Sequence, residues 1–144
     1  MGEEIVDVVY SQFSMADHSE AMDIWQRTPG IGITKSDGAQ ETLFFLERNP
    51  GLSWAARVDG ELVGTILCGH DGRRGFIYHL AVKKEFRHQG IGRTLVERAI
   101  DGLKAIGIPR CHIFVYADNK HGAEFWKEMG WRFRLELNLM SRNL

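Results

Sequence analysis

Between Arg87 and Arg93 the chain reads Arg-His-Gln-Gly-Ile-Gly-Arg, two glycines among three side chains that carry or can acquire positive charge. Lys83 and Lys84 lie just upstream, so this is the densest basic stretch of the sequence. Glycines lack the side chain that would keep a ligand away from the backbone, and a helix beginning here points unpaired amides at whatever sits above it. Together with the partial positive charge of a helix amino end, the pattern suits a bound phosphate. The glycines alone also fit a turn that merely starts a helix. Two nucleotide motifs match poorly: the Lys-Ser/Thr ending of a triphosphate loop is absent, and the third glycine of a dinucleotide fingerprint falls at Leu95.

A second group of residues can move protons. Tyr78 and His79 are neighbours in an apolar, strand-like run, and strand alternation sends adjacent side chains to opposite faces unless a bulge re-aims one of them. His79 has the side chain best suited to accept a proton near neutral pH, and a purely structural histidine is the competing reading. Tyr116, at the end of a later apolar run, is a reserve proton donor or else an edge tyrosine. His18, His79, His88, His112 and His121 show no metal-ligand spacing, and Glu97 with Asp101 reads as a solvated helix face, so no metal site is expected. Cys68 and Cys111 each sit in an apolar run and read as reduced core thiols. No serine or cysteine lies in a nucleophile motif.

These residues need elements to hold them. Ile5 to Tyr10 reads as a first strand, followed by a helix that Ser14 or Asp17 can cap and that Ala21, Met22 and Trp25 can bury. Thr28 to Gly38 is glycine-rich and set by turns, and Gln40 to Arg48 is a short helix. Asp59-Gly60 joins strands Ser53 to Val58 and Glu61 to Gly69 in a tight hairpin, and Gly75 to Val82 is the next strand. Leu95, Val96, Ala99, Ile100 and Leu103 recur at helix spacing within a helix from Gly92 to Ile106, with Gly107 near its end. Cys111 to Tyr116 is a strand, Asn119 to Met129 a helix capped by Asn119, and Trp131 to Leu139 a final strand with alternating Phe133, Leu135, Leu137 and Leu139. The order predicts an α/β fold, a mixed and mainly antiparallel central sheet with helices on both sides.

Bulk properties agree with one domain spanning residues 1–144. A formal net charge of -1 gives no long-range attraction to nucleic acid or anionic lipid, and no apolar run approaches membrane-spanning length. The expectation is a cytoplasmic protein with no nucleic-acid or membrane partner, monomeric or homodimeric.

Leu80-Ala-Val82, Arg87-x-x-Gly90-x-Gly92, Asn119 and Ala123-x-Phe125-Trp126-x-x-Met129-Gly130-Trp131 together resemble the GCN5-related N-acetyltransferase family, over about Ile5 to Leu139. The resemblance implies the acyl-CoA N-acyltransferase fold and acetyl-CoA as acyl donor. Amides across Arg87, His88, Gln89, Gly90, Ile91, Gly92 and Arg93 would hold the pyrophosphate, with the backbone of Leu80 and Val82 beside the pantetheine. Asn119 would hydrogen-bond the cofactor arm, and Trp126 would lie at the cofactor. In the family a tyrosine that often protonates the departing thiolate sits where this chain has Trp126, whose indole is no ordinary acid. Phe76 replaces a carboxylate sometimes used earlier on the same strand.

The implied activity is direct acetyl transfer to a primary amine of a small molecule, peptide or protein. His79, Tyr78 and Tyr116 are the candidates for proton transfer. The alternative is a CoA-binding regulatory or structural module with little turnover.

Overall fold

The computed structural model describes residues 7–144, which form two compact units that divide between Phe114 and Val115. In the first unit five strands pair in chain order: β1 (Val9–Gln12), β2 (Trp54–Val58), β3 (Glu61–His70), β4 (Gly75–Val82) and β5 (Cys111–Ile113). Neighbouring strands are antiparallel except β4 and β5, which are parallel. The hairpin between β2 and β3 turns on Asp59 and Gly60 with φ of 49° and 81°, the left-handed pair that a two-residue connection of this hand requires.

Helices cover both faces of this sheet. One face carries α1 (His18–Arg27), which buries Ala21, Ile24 and Trp25 at helical spacing, and α2 (Ala39–Arg48). A methyl group added at Gly69 of β3 would collide with Phe45 and Asn49, so α2 and its C-cap lie directly over that strand. The opposite face carries α3 (Ile91–Ala105), which buries Ile91, Leu95, Val96, Ala99 and Leu103. Gly64 and Gly75 open room for Ile91, Leu95 and Leu103 to approach the strands. The left-handed Gly107, φ 82°, follows the end of α3.

The second unit contains α4 (Lys120–Glu128), capped by Asn119, whose Oδ1 accepts the Gly122 amide at 3.0 Å. Trp126 is buried with its ring 5.2 Å from Phe125 and 4.9 Å from Trp131.

Several boundaries depart from the sequence expectations. The first strand begins at Val9, and Ile5 and Val6 lie outside the described residues. The strand expected over Cys111 to Tyr116 pairs only through Ile113. Trp131 to Leu139 is not a strand: the Leu137 amide closes a turn on the Arg134 carbonyl at 3.2 Å, and Leu135 is 89% exposed. Alternating apolar residues offer a face to bury, but a strand also needs a second backbone to complete its hydrogen bonds.

Candidate active site

The geometry around the candidate residues starts from a defect in the sheet. Thr65 pairs with Ala81 and Leu67 with Tyr78, so Ile66 alone stands opposite both His79 and Leu80. This is a β-bulge, and His79 absorbs it with a left-handed φ of 49°. Strict alternation would have sent His79 toward α3. Instead it lies beside Tyr78 on the α1–α2 face, where Tyr78 meets the Phe45 ring edge-on at 6.0 Å and His79 packs 4.7 Å from the Trp25 ring.

The strained backbone is braced from below and the ring from the side. Trp25 Nε1 donates to Thr65 Oγ1 at 2.9 Å, and that hydroxyl donates to the His79 carbonyl, also at 2.9 Å. The His79 ring is fixed by Asp37, with Nε2 and Oδ1 2.6 Å apart and side-chain exposures of 15% and 9%. Facing a carboxylate, which only accepts, Nε2 carries the hydrogen. The tyrosine beside it stays a phenol: burial, then the nearby Cys111 and Cys68 thiols, push its ionisation up.

The residues that follow β4 form an exposed loop leading into α3. Parallel pairing with β5 ends at Ile77–Ile113, ahead of Tyr78 to Val82. Arg87 Nε donates to the Val82 carbonyl at 2.9 Å, which ties the loop back to the strand. His88 and Gly90 have φ of 63° and 84°, and Gly90 is the N-cap of α3. Ile91 is buried against Gly64 and anchors the helix start, whereas Arg87, His88, Gln89, Gly90 and Arg93 are exposed. No atom lies within 4 Å of a Cβ built at Gly90, so the space beside the N-cap of α3 is open. Beside the loop, Arg27, Lys83, Lys84 and Arg87 line a cleft together with Asp23 and Glu85, an excess of positive charge. Open space at the N-cap, a helix amino end and these cations fit a phosphate-bearing ligand.

The sequence from residue 18 to 131 matches the model of the acetyltransferase (GNAT) family. The chain belongs to that family. An acetyltransferase of Pectobacterium atrosepticum is 34% identical over 107 residues, covering 74% of this chain and 75% of the relative. Among solved structures, a GNAT-family acetyltransferase from Staphylococcus aureus superimposes with a TM-score of 0.78 at 18% identity, covering 92% of this chain and 89% of the other. The PaiA N-acetyltransferase from Thermoplasma acidophilum, solved with coenzyme A, gives 0.74 at 21% identity, covering 85% and 88%. These likenesses confirm the GNAT fold expected from the sequence.

The remaining candidates in this GNAT chain lie in the second unit. Tyr116 is exposed, and its carbonyl accepts the Asn119 amide at 2.9 Å. Asn119 spends its Oδ1 on capping α4, and Trp126 packs among aromatic rings. In the first unit Cys68 and Cys111 are free thiols, both pushed up to about 12 by burial, which makes them poor nucleophiles. Sequence reading did not single out Asp37 or Thr65. Thr34-x-x-Asp37 is legible as a capping pattern, since the Thr34 amide donates to Asp37 Oδ2 at 2.8 Å, but nothing local reveals that Oδ1 meets a histidine 42 residues away.

Proposed function

We propose that this GNAT protein transfers the acetyl group of acetyl-CoA directly to a primary amine of a small molecule, a peptide or a protein. The observation that carries the reading is the bulge that puts His79 on the same face as Tyr78, on a strand that leads straight into a basic, glycine-containing loop at a helix amino end. Bound acetyl-CoA supplies an activated thioester. Amides from Arg87 to Arg93 hold its pyrophosphate, with Arg87, His88 and Arg93 adding charge, and the backbone of Leu80 and Val82 borders its pantetheine.

His79 acts as general base and takes a proton from the amine nitrogen, directly or through water. The new N–C bond forms as the C–S bond breaks, its electron pair leaving on sulfur. Tyr78 keeps its proton at neutral pH and is one donor for the thiolate. In the second unit, Tyr116, near the end of its apolar run, is the reserve donor, and the sequence resemblance supports Asn119 and Trp126 as cofactor contacts. A cytoplasmic setting belongs to the same reading.

The test is an amine panel with acetyl-CoA, read by free-thiol release and product mass. Enzyme-dependent acetylation supports the reading. CoA binding without turnover on any amine would favour a regulatory module instead. For the loop, Gly92→Val is expected to raise the acetyl-CoA KM more than Arg93→Lys, and near-wild-type values for both would count against the phosphate site.

A further inference from the structure

We propose that Asp37 is a positioning residue that sets the tautomer of His79, leaving Nδ1 as the atom that takes the proton of the acceptor amine. The inference rests on the amine acetylation proposed above. Both oxygens of Asp37 are committed: Oδ1 to His79 Nε2 at 2.6 Å and Oδ2 to the Thr34 amide at 2.8 Å. Its carbonyl is held as well, 2.8 Å from His18 Nε2 and 3.4 Å from Thr42 Oγ1. The carboxylate therefore cannot swing away without undoing the capping of the turn Lys35–Asp37. Around the imidazole the titratable groups are Asp37, His18 of α1 and the adjacent Tyr78, while Trp25 and Thr65 are neutral neighbours.

The other ring nitrogen is free for chemistry. Among the described residues, Trp54 Nε1 is the sole buried side-chain nitrogen or oxygen without a partner, so Nδ1 of His79, which has no partner, reaches solvent. With hydrogen fixed on Nε2, Nδ1 presents a lone pair. One proton of the amine passes to Nδ1, the nitrogen lone pair bonds to the acetyl carbon, and sulfur leaves with the C–S pair. The imidazolium then gives the proton to water, and Asp37 remains a carboxylate throughout.

Asp37→Asn and Asp37→Ala separate positioning from structural support. In the asparagine variant the Thr34 amide keeps the oxygen on its own side, so the NH2 group faces His79 and donates to Nε2. The ring proton then moves to Nδ1 and the lone pair is lost. Alanine imposes no tautomer. The expected order of kcat is wild type, then Asp37→Ala about 10-fold lower, then Asp37→Asn about 10²-fold or more lower, with acetyl-CoA KM little changed in both. A purely structural Asp37 predicts the reverse, because asparagine keeps the volume and the cap.

The decisive readout needs no substrate: nitrogen NMR of 15N-histidine protein should show His79 as the Nε2–H tautomer in wild type and Nδ1–H in Asp37→Asn. Rates are taken with acetyl-CoA and a peptide N-terminal amine or another turned-over member of the amine panel. A wild-type Nδ1–H tautomer overturns the proposal even if no variant folds, as does Asp37→Asn that retains the rate of Asp37→Ala or better. Should His79→Ala keep full activity, the base reading falls and this inference with it. A crippled His79→Ala beside a fully active Asp37→Asn overturns only the role of Asp37.

Discussion

Replacing Thr65 by valine tests whether the bulge at His79 is held by the hydrogen-bond chain from Trp25. Thr65 is completely buried, and its hydroxyl both accepts from Trp25 Nε1 and donates to the His79 carbonyl, each at 2.9 Å. Valine has nearly the same shape, so packing is conserved while an indole N–H and a carbonyl lose their partners. Each unsatisfied buried group costs about 1–3 kcal/mol, and valine no longer has a hydroxyl to desolvate, so the net loss is about 2–4 kcal/mol. With a urea slope of about 2 kcal/mol/M, the unfolding midpoint should fall by about 1–2 M at unchanged slope. Thr65→Ser keeps both bonds and loses one methyl, about 1 kcal/mol. Because the same hydroxyl holds His79, kcat for amine acetylation should fall about 10-fold or more in the valine variant. A midpoint for Thr65→Val at or above that of Thr65→Ser would refute the reasoning. So would additivity with Trp25→Phe, since two members of one chain should couple by about 0.5–3 kcal/mol.

Gly75→Ala would place a methyl 2.5 Å from Leu103 Cδ1 and 3.4 Å from Cys111 Sγ, between sheet and α3, and is expected to destabilise the protein by about 1–3 kcal/mol in chemical denaturation. Gly90→Ala meets no atom, so its cost comes from the left-handed backbone alone, about 1–2 kcal/mol by the same assay. Cys68 and Cys111, raised to about 12 from an ordinary value near 9, should react slowly with a thiol reagent in the native state at pH 8. The sign for stability follows from the raised values: the contribution is intact below the unfolded thiol pKa and declines as pH rises from about 9 toward 12, where the unfolded chain ionises first. A denaturation midpoint that held constant across that range would contradict the burial of these thiols.

How much was legible in the sequence can be judged from particular elements. The Asp59-Gly60 hairpin, the 3.6-residue periodicity of α3 and the Asn119 cap are local: neighbours in the chain carry both the conformational preference and the reason for it. Paired with Leu80-Ala-Val82 and the Asn119 to Trp131 pattern, the glycine loop was also enough to indicate the GNAT family and its fold. Strand length was not local. Cys111 to Tyr116 and Trp131 to Leu139 have strand-like composition, yet pairing depends on whether another backbone lies alongside.

The side chains of His79 and Tyr78 were visible as chemistry, but their shared face was decided by one extra residue in β4 opposite Ile66. That bulge shifts the β3–β4 register by one residue between its two sides, a feature written across two strands. Asp37 arrives from a turn in the α1–α2 connection and Thr65 from β3, and their meeting with His79 needs the helices packed on the sheet. The family, the helices and the glycine-containing turn into α3 were legible in the sequence alone, because those depend on short-range pattern. Only the tertiary structure decided which way the candidate base points and what holds it, because side-chain direction at a bulge and contacts between residues some 14 to 42 positions apart are properties of the assembled core.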